Sequence, residues 1–283
     1  MKRKTEKLMY NFLDIQNAVD FLEKNKIPYT MDLSNYTTTI ECEYYRRQYL
    51  AKKQSMKTFI AFQKIKSDLD KWTANEKPEI KPEDLIYFKH NLKESFTFSK
   101  IWATDIKSAY ATVLLNDYFI QPETFEYISS LNKHERLACV GMLASKKEHF
   151  YFNGEELNYS GCTRSEYAPY FYHCINKTAQ IMEGTIKDIH PDATLFYWVD
   201  CVYTWINQQK EIGEYLKKEN YLFSQKLLKQ MKITENPKHF FVNYIQEGQI
   251  KTLNFPKPQN IREKISNYFL EKAKNKQNIE KSI

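Results

Sequence analysis

ATDIKSAYATVLLN, residues 103–116, sets an aspartate at the seam between two patterns. Up to Asp105, in KIWATD, alternating apolar residues read as a strand, while SAYATVLL beyond it runs as a helix. The carboxylate of Asp105 is therefore predicted at a strand end, beside the backbone amides of the following turn. A second stretch, TLFYWVDCVYTWI, residues 194–206, reads as an apolar and aromatic hairpin interrupted at its centre by Asp200. A carboxylate in such a setting needs a partner or a cation to offset its desolvation. Taken singly, Asp105 also fits a helix cap, and Asp200 a hairpin turn or an ion pair with a lysine. Taken together, two such carboxylates form a donor set for Mg²⁺ chemistry on phosphates.

Working outward from these stretches, residues 8–26 have a helical apolar period, and residues 41–72 run without Gly or Pro as a long basic amphipathic helix. The segment TANEKPEIKPED, residues 73–84, is charged, carries Pro78 and Pro82, and reads as a linker. Strands are expected around 85–89 and 96–104, a helix over 107–116, mixed helices to about residue 190, the hairpin at 194–206 and a helix over 208–231. HFFVNYI and QIKTLNF flank the Glu247-Gly248 turn as two strands, and a polar helix follows Pro258. The expected organisation is a helical basic region with linker over 1–84, a catalytic domain with a short insertion over 85–257, and a polar helix over 258–283. No internal repeat is present.

The chain has 283 residues, enough for one large domain with a substantial core. Its 42 Lys and Arg exceed its 35 Asp and Glu, giving a net charge of +7 that favours a polyanionic partner. The 21 Tyr and 18 Phe interleaved with Lys supply stacking faces beside cations, although coding from an AT-rich genome gives the same bias. Five cysteines without a CxxC pair argue against a disulfide framework or structural zinc, and point to a reducing cytoplasm. The N-terminal MKRKTEKLMYNFL lacks a sustained apolar segment, so neither export nor membrane insertion is expected. His173, Cys174, His190 and Cys201 have no surrounding motif and read as packing residues rather than as a nucleophilic or zinc site.

D-I-K-S-A-Y-A, Asp105 to Ala111, resembles the first palm motif of family B DNA polymerases, which reads Asp, two variable residues, Ser, Leu, Tyr, Pro. V-D-C-V-Y, Val199 to Tyr203, resembles that family's second palm motif, which reads Asp, Thr, Asp, Ser, then an apolar residue and often Tyr. The resemblance implies an α+β fold: a polymerase-like palm with an antiparallel sheet and helices, a helical N-terminal region, and reduced fingers and thumb. It implies that Asp105 and Asp200 are catalytic metal ligands, with the backbone carbonyl of Ile106 completing the shell. Ser108, Ala109 and Tyr110 would line the nucleotide site, Tyr110 standing where a ribose 2′-hydroxyl would lie. In RLACVGMLASKK, residues 136–147, Arg136 would take the place of the fingers lysine, with Lys133, Lys146 and Lys147 as competitors. In KHFF, residues 238–241, Lys238 would touch the primer strand.

Departures accompany the matches. Ala111 replaces the motif's Pro, and Trp198 replaces the first Asp of the second motif. No Asp-x-Glu precedes Asp105, so a proofreading exonuclease is not expected. The activity implied is template-directed, Mg²⁺-dependent deoxynucleotidyl transfer, with Mn²⁺ as an alternative ion, in phage or mobile-element replication. Its partners would be a DNA primer-template, dNTPs and a priming or replication protein. A catalytically degenerate palm that binds nucleic acid or a replication partner is the alternative, and a terminal transferase or primase-like activity is a third.

Overall fold

The computed structural model describes residues 5–50, 55–72, 77–80, 85–86, 88–90, 95–187, 193–236, 239–255 and 261–280. The chain first forms β1 (Thr5–Met9), α1 (Phe12–Lys24), β2 (Tyr29–Ser34), β3 (Thr37–Cys42) and β4 (Arg46–Leu50). It continues through α2 (Met56–Leu69), β5 (Phe88–His90), β6 (Phe96–Phe98), β7 (Ile101–Ile106), α3 (Ala109–Asn116), α4 (Pro122–Ser129) and α5 (Lys133–Gly141). A hairpin of β8 (Lys146–Phe152) and β9 (Leu157–Arg164) precedes the long α6 (Ala168–Lys187). Then come β10 (Thr194–Trp198), β11 (Cys201–Thr204), α7 (Gln209–Lys218), β12 (Phe223–Leu228), β13 (Met231–Asn236), β14 (His239–Gln246), β15 (Gln249–Phe255) and α8 (Ile261–Glu280). The protein is thus mixed α+β, with sheets that are antiparallel except for the β1–β4 pair. No described helix is long and apolar enough to cross a membrane.

These elements form two compact units. One consists of residues 1–55, 144–166 and 259–283, and its sheet has the order β1-β4-β3-β2-β8-β9. β2 buries Tyr29, Met31 and Leu33 while Thr30, Asp32 and Ser34 take the other face, the period-2 pattern of a strand. The buried face meets Ile15, Val19 and Leu22 of α1 and Ile265 and Phe269 of α8 in one cluster. Each fully buried side chain of this size contributes about 1.5–3 kcal/mol. The helical N-terminal region is therefore corrected: four strands lie within the first 50 residues, and α2 is confined to Met56–Leu69. The lysines and arginines of 41–53 resemble a basic helix in composition, but Arg46–Leu50 pairs with both β1 and β3.

The other unit consists of residues 56–143 and 167–258, so its end lies one residue from the boundary expected at 257/258, whereas no division falls at 84/85 and the stretch 144–166 belongs to the first unit. Of the expected linker, only 77–80 falls within the described residues. A five-stranded sheet, β12-β7-β11-β10-β5, carries on one face a cluster that draws on α2 to α7. On its other face Ile101, Ala103, Cys201 and Tyr203 join Met231, Ile233 and Val242 of a four-stranded sheet, β15-β14-β13-β6. Residues 208–231, expected as one helix, instead give α7 and then β12, because Asn220 adopts a left-handed backbone (φ 60°) and ends the helix. Residues 146–164, expected among mixed helices, form the β8–β9 hairpin.

Candidate active site

Register places Asp105 and Asp200 side by side. β7 runs antiparallel to β11 with Asp105 opposite Cys201, which follows Asp200 directly. The Ile106 N–H donates to the Asp200 carbonyl at 2.8 Å, and the Lys107 N–H to the Leu222 carbonyl at 2.7 Å. Trp198 pairs with Cys201, so Val199 and Asp200 are the two central residues of a tight turn. The turn holds Val199 in the left-handed region (φ 56°), and on the facing segment Ser108 is left-handed too (φ 53°) just before α3. Such backbones cost non-glycine residues about 1–3 kcal/mol and concentrate where side chains must be aimed.

Asp105 shares a sheet face with Ala103, because side chains two residues apart point the same way. That face carries Cys201 and Tyr203 of β11, and Ser224 and Lys226 of β12 lie opposite Asp105 and Ala103. Burial raises the Asp105 carboxyl above its usual value, and the positive charges of Lys133 and Lys226 offset part of that rise. Burial also holds the Cys201 thiol far above its usual value, and the Asp105 carboxylate pushes it the same way. Cys201 is thus a protonated packing residue at neutral pH rather than a nucleophile. The same holds for Cys174, fully buried and raised chiefly by burial. His173 is held by Asp117 at 2.5 Å, and His190 lies outside the described residues.

The other expected site residues divide. Ala109 is buried as the first residue of α3, and the Ser108 carbonyl accepts from the Thr112 amide at 2.9 Å. Tyr110 is half-buried, its ring edge-on to Phe171 of α6 at 5.6 Å between centroids. The Arg136 guanidinium donates to the Leu131 carbonyl within its own helix start. Its competitor Lys133 is the residue of α5 whose charge reaches Asp105. The start of α5 is fixed by a capping box, in which the Asn132 side chain accepts from the Glu135 amide at 3.0 Å and Glu135 bonds back. Lys146 and Lys147 belong to the other unit, where they pair with Glu148 and Asp32. Lys238 lies outside the described residues.

Lys226 was missed because its segment reads as helix; the signal was the alternation of SQKLL, with Ser224 and Lys226 on one face. Among the described residues no group of three or more His, Cys, Asp and Glu side chains is placed to hold a metal ion by itself. The two carboxylates and the backbone carbonyl at Ile106 are hard oxygen donors, and Mg²⁺ typically takes one or two carboxylates together with substrate phosphates. The partial burial that penalises an ionised Asp105 is a cost a cation would remove. The donor set therefore fits a hydrated divalent ion. No family model matches the chain, and no curated protein matches it.

Proposed function

We propose that this chain is a template-directed DNA polymerase of minimal family B type, carrying out deoxynucleotidyl transfer on a palm-like five-stranded sheet. The observation that supports this most is the register that sets Asp105, at the end of β7, beside Asp200 in the β10–β11 turn. The order of elements agrees with the motif resemblance: a strand with Asp105 next to its last residue and a helix after it, then a long helix leading to a hairpin with Asp200 at its turn.

When bound, a divalent cation would activate a primer 3′-hydroxyl and neutralise charge on the triphosphate. Asp105 and Asp200 would hold it, aided by the Ile106 carbonyl. Lys133 and Lys226, whose charges already act on Asp105, would attract and orient the anionic nucleotide. Ser108, at the strained entry to α3, would hold the backbone of the nucleotide loop in place.

Extension of a labelled primer on a template with dNTPs and Mg²⁺ or Mn²⁺ tests the reading. Asp105→Asn and Asp200→Asn are each expected to lower extension at least about a hundredfold while circular dichroism stays native. Equal extension by wild type and variants sinks it. A second reading, a palm that binds DNA without chemistry, is favoured by Trp198 in place of an acidic residue and by the engagement of Arg136 with Leu131. It predicts salt-sensitive DNA binding with no extension by a folded wild type.

A further inference from the structure

A cleft of about 470 Å³ opens on the helix-covered side of the five-stranded sheet, between the ends of α3 and α7 and the flank of α6. It is separate from the carboxylate site. Its floor includes Ile120, Ile181 and Tyr221, members of the helix-side cluster, whereas Asp105 shares the opposite sheet face with Ala103 and Cys201. Its volume lies within the ~300–1,000 Å³ of ordinary ligand sites.

Both walls are built by the same device. α3 ends with Tyr118 left-handed (φ 61°) and the Phe119 amide donating to the Leu114 carbonyl at 2.8 Å. α7 ends with Asn220 left-handed (φ 60°) and the Tyr221 amide donating to the Leu216 carbonyl at 2.8 Å. Asparagine tolerates that backbone, but a tyrosine there is strained. Tyr118 is also 80% exposed, a large ring on the lip of the cleft that gains nothing from the core. Strain and exposure in one residue point to a ligand that uses the ring.

The chemistry of the lining is specific. Lys177 and Lys218 have no ion pair among the described residues, and both line the cleft. Asp117 is held by His173 at 2.5 Å, leaving Glu219 as the wall's other carboxylate. Gln121 and Asn220 present side-chain amides that make no hydrogen bond among the described residues. Cations suit a phosphate, an apolar floor with a tyrosine lip suits a planar ring, and amides with a carboxylate suit the hydrogen-bonding edge of a base. An acidic peptide would use the lysines but would meet Glu219 and leave the amides idle.

We infer that this cleft binds a nucleotide, with its base between Tyr118 and the Ile120/Ile181 floor and its phosphate held by Lys177 and Lys218. The nucleotide is either free or part of a single strand. The site does not depend on Asp105 or Asp200. Anisotropy of a fluorescein-labelled single-stranded DNA, measured on the whole chain without divalent ions, tests the inference. Since it reads no nucleotidyl transfer, its failure is distinct from failure of the polymerase reading.

Tyr118→Gly relieves the left-handed strain, so its melting temperature should hold or rise while affinity falls about tenfold. The double variant Lys177→Ala and Lys218→Ala should reduce the slope of log affinity against log salt by about 1.4. Displacement of the strand by dAMP assigns the site to free nucleotide, and resistance to dAMP assigns it to a strand. Unchanged binding in both variants overturns the inference, as does a wild type that binds polyglutamate but neither DNA nor dAMP.

Discussion

Asp105 carries two opposed demands on one side chain. Burial raises its carboxyl pKa above the usual 3.8, with Lys133 and Lys226 offsetting only part of the cost. A raised carboxyl binds its proton more tightly in the folded protein, so its contribution to stability is full in acid and is lost as pH rises through the folded-state value. At neutral pH without metal, Asp105 therefore destabilises the fold. Asp105→Asn should raise the melting temperature at pH 7 by about 2–4 °C. The difference should vanish as the pH falls below the usual carboxyl value of 3.8, and Mn²⁺ should stabilise the wild type but not the variant. Melting curves across pH with and without Mn²⁺ check this; a variant less stable at pH 7 would contradict the desolvation argument. The importance of this aspartate was legible in the sequence from the break between strand and helix patterns at residue 105. Its neighbours were not. Lys133, rather than Arg136, acts on it because the Asn132–Glu135 capping box sets where α5 begins, and Lys226 arrives on a strand whose pairing no local pattern reveals.

Elements were readable where one signal dominated. The hairpin at 194–204 shows as an apolar and aromatic run buried on both faces and broken by Asp200, and that at 239–255 by its turn at Glu247-Gly248, where both residues have positive φ. β4 and β8 were misread because their few buried apolar residues are interspersed with Lys, Arg, Gln and His, a composition that also suits solvated helices. Packing between helices imposes constraints that sequence does not display. A Cβ on Gly184 of α6 would lie 1.8 Å from the Tyr215 hydroxyl oxygen and 2.5 Å from its ring carbon Cζ, so α7 approaches where only glycine fits. In an open helix Gly→Ala gains up to about 1 kcal/mol, whereas overpacking costs about 1–3 kcal/mol. Gly184→Ala should therefore lose about 1–2 kcal/mol in chemical denaturation. The double variant Gly184→Ala with Tyr215→Phe, which removes the hydroxyl but keeps the ring, should recover part of it. A more stable Gly184→Ala would show that Tyr215 can swing away freely.

The whole molecule is two cores threaded by one chain. The unit of residues 1–55, 144–166 and 259–283 closes around α1 and α8, and the unit of residues 56–143 and 167–258 contains both the helix-side and the sheet-side clusters. Asp105, Asp200, Lys133 and Lys226 all belong to the second. A ligand that binds only the native state raises stability by mass action, and the gain falls on the cooperative block that forms its site. Each unit has its own buried cluster, so calorimetry is expected to resolve two transitions. Mn²⁺ should then move only one of them, and Asp200→Asn should abolish that movement. Assigning the moving transition needs a second probe: hydrogen exchange should show added protection at β7 and the β10–β11 hairpin, with the β2–β3–β8 core unchanged. A single transition, or protection spread equally over both cores, would mean that the two blocks fold as one and that stability at the carboxylate pair is shared across the chain.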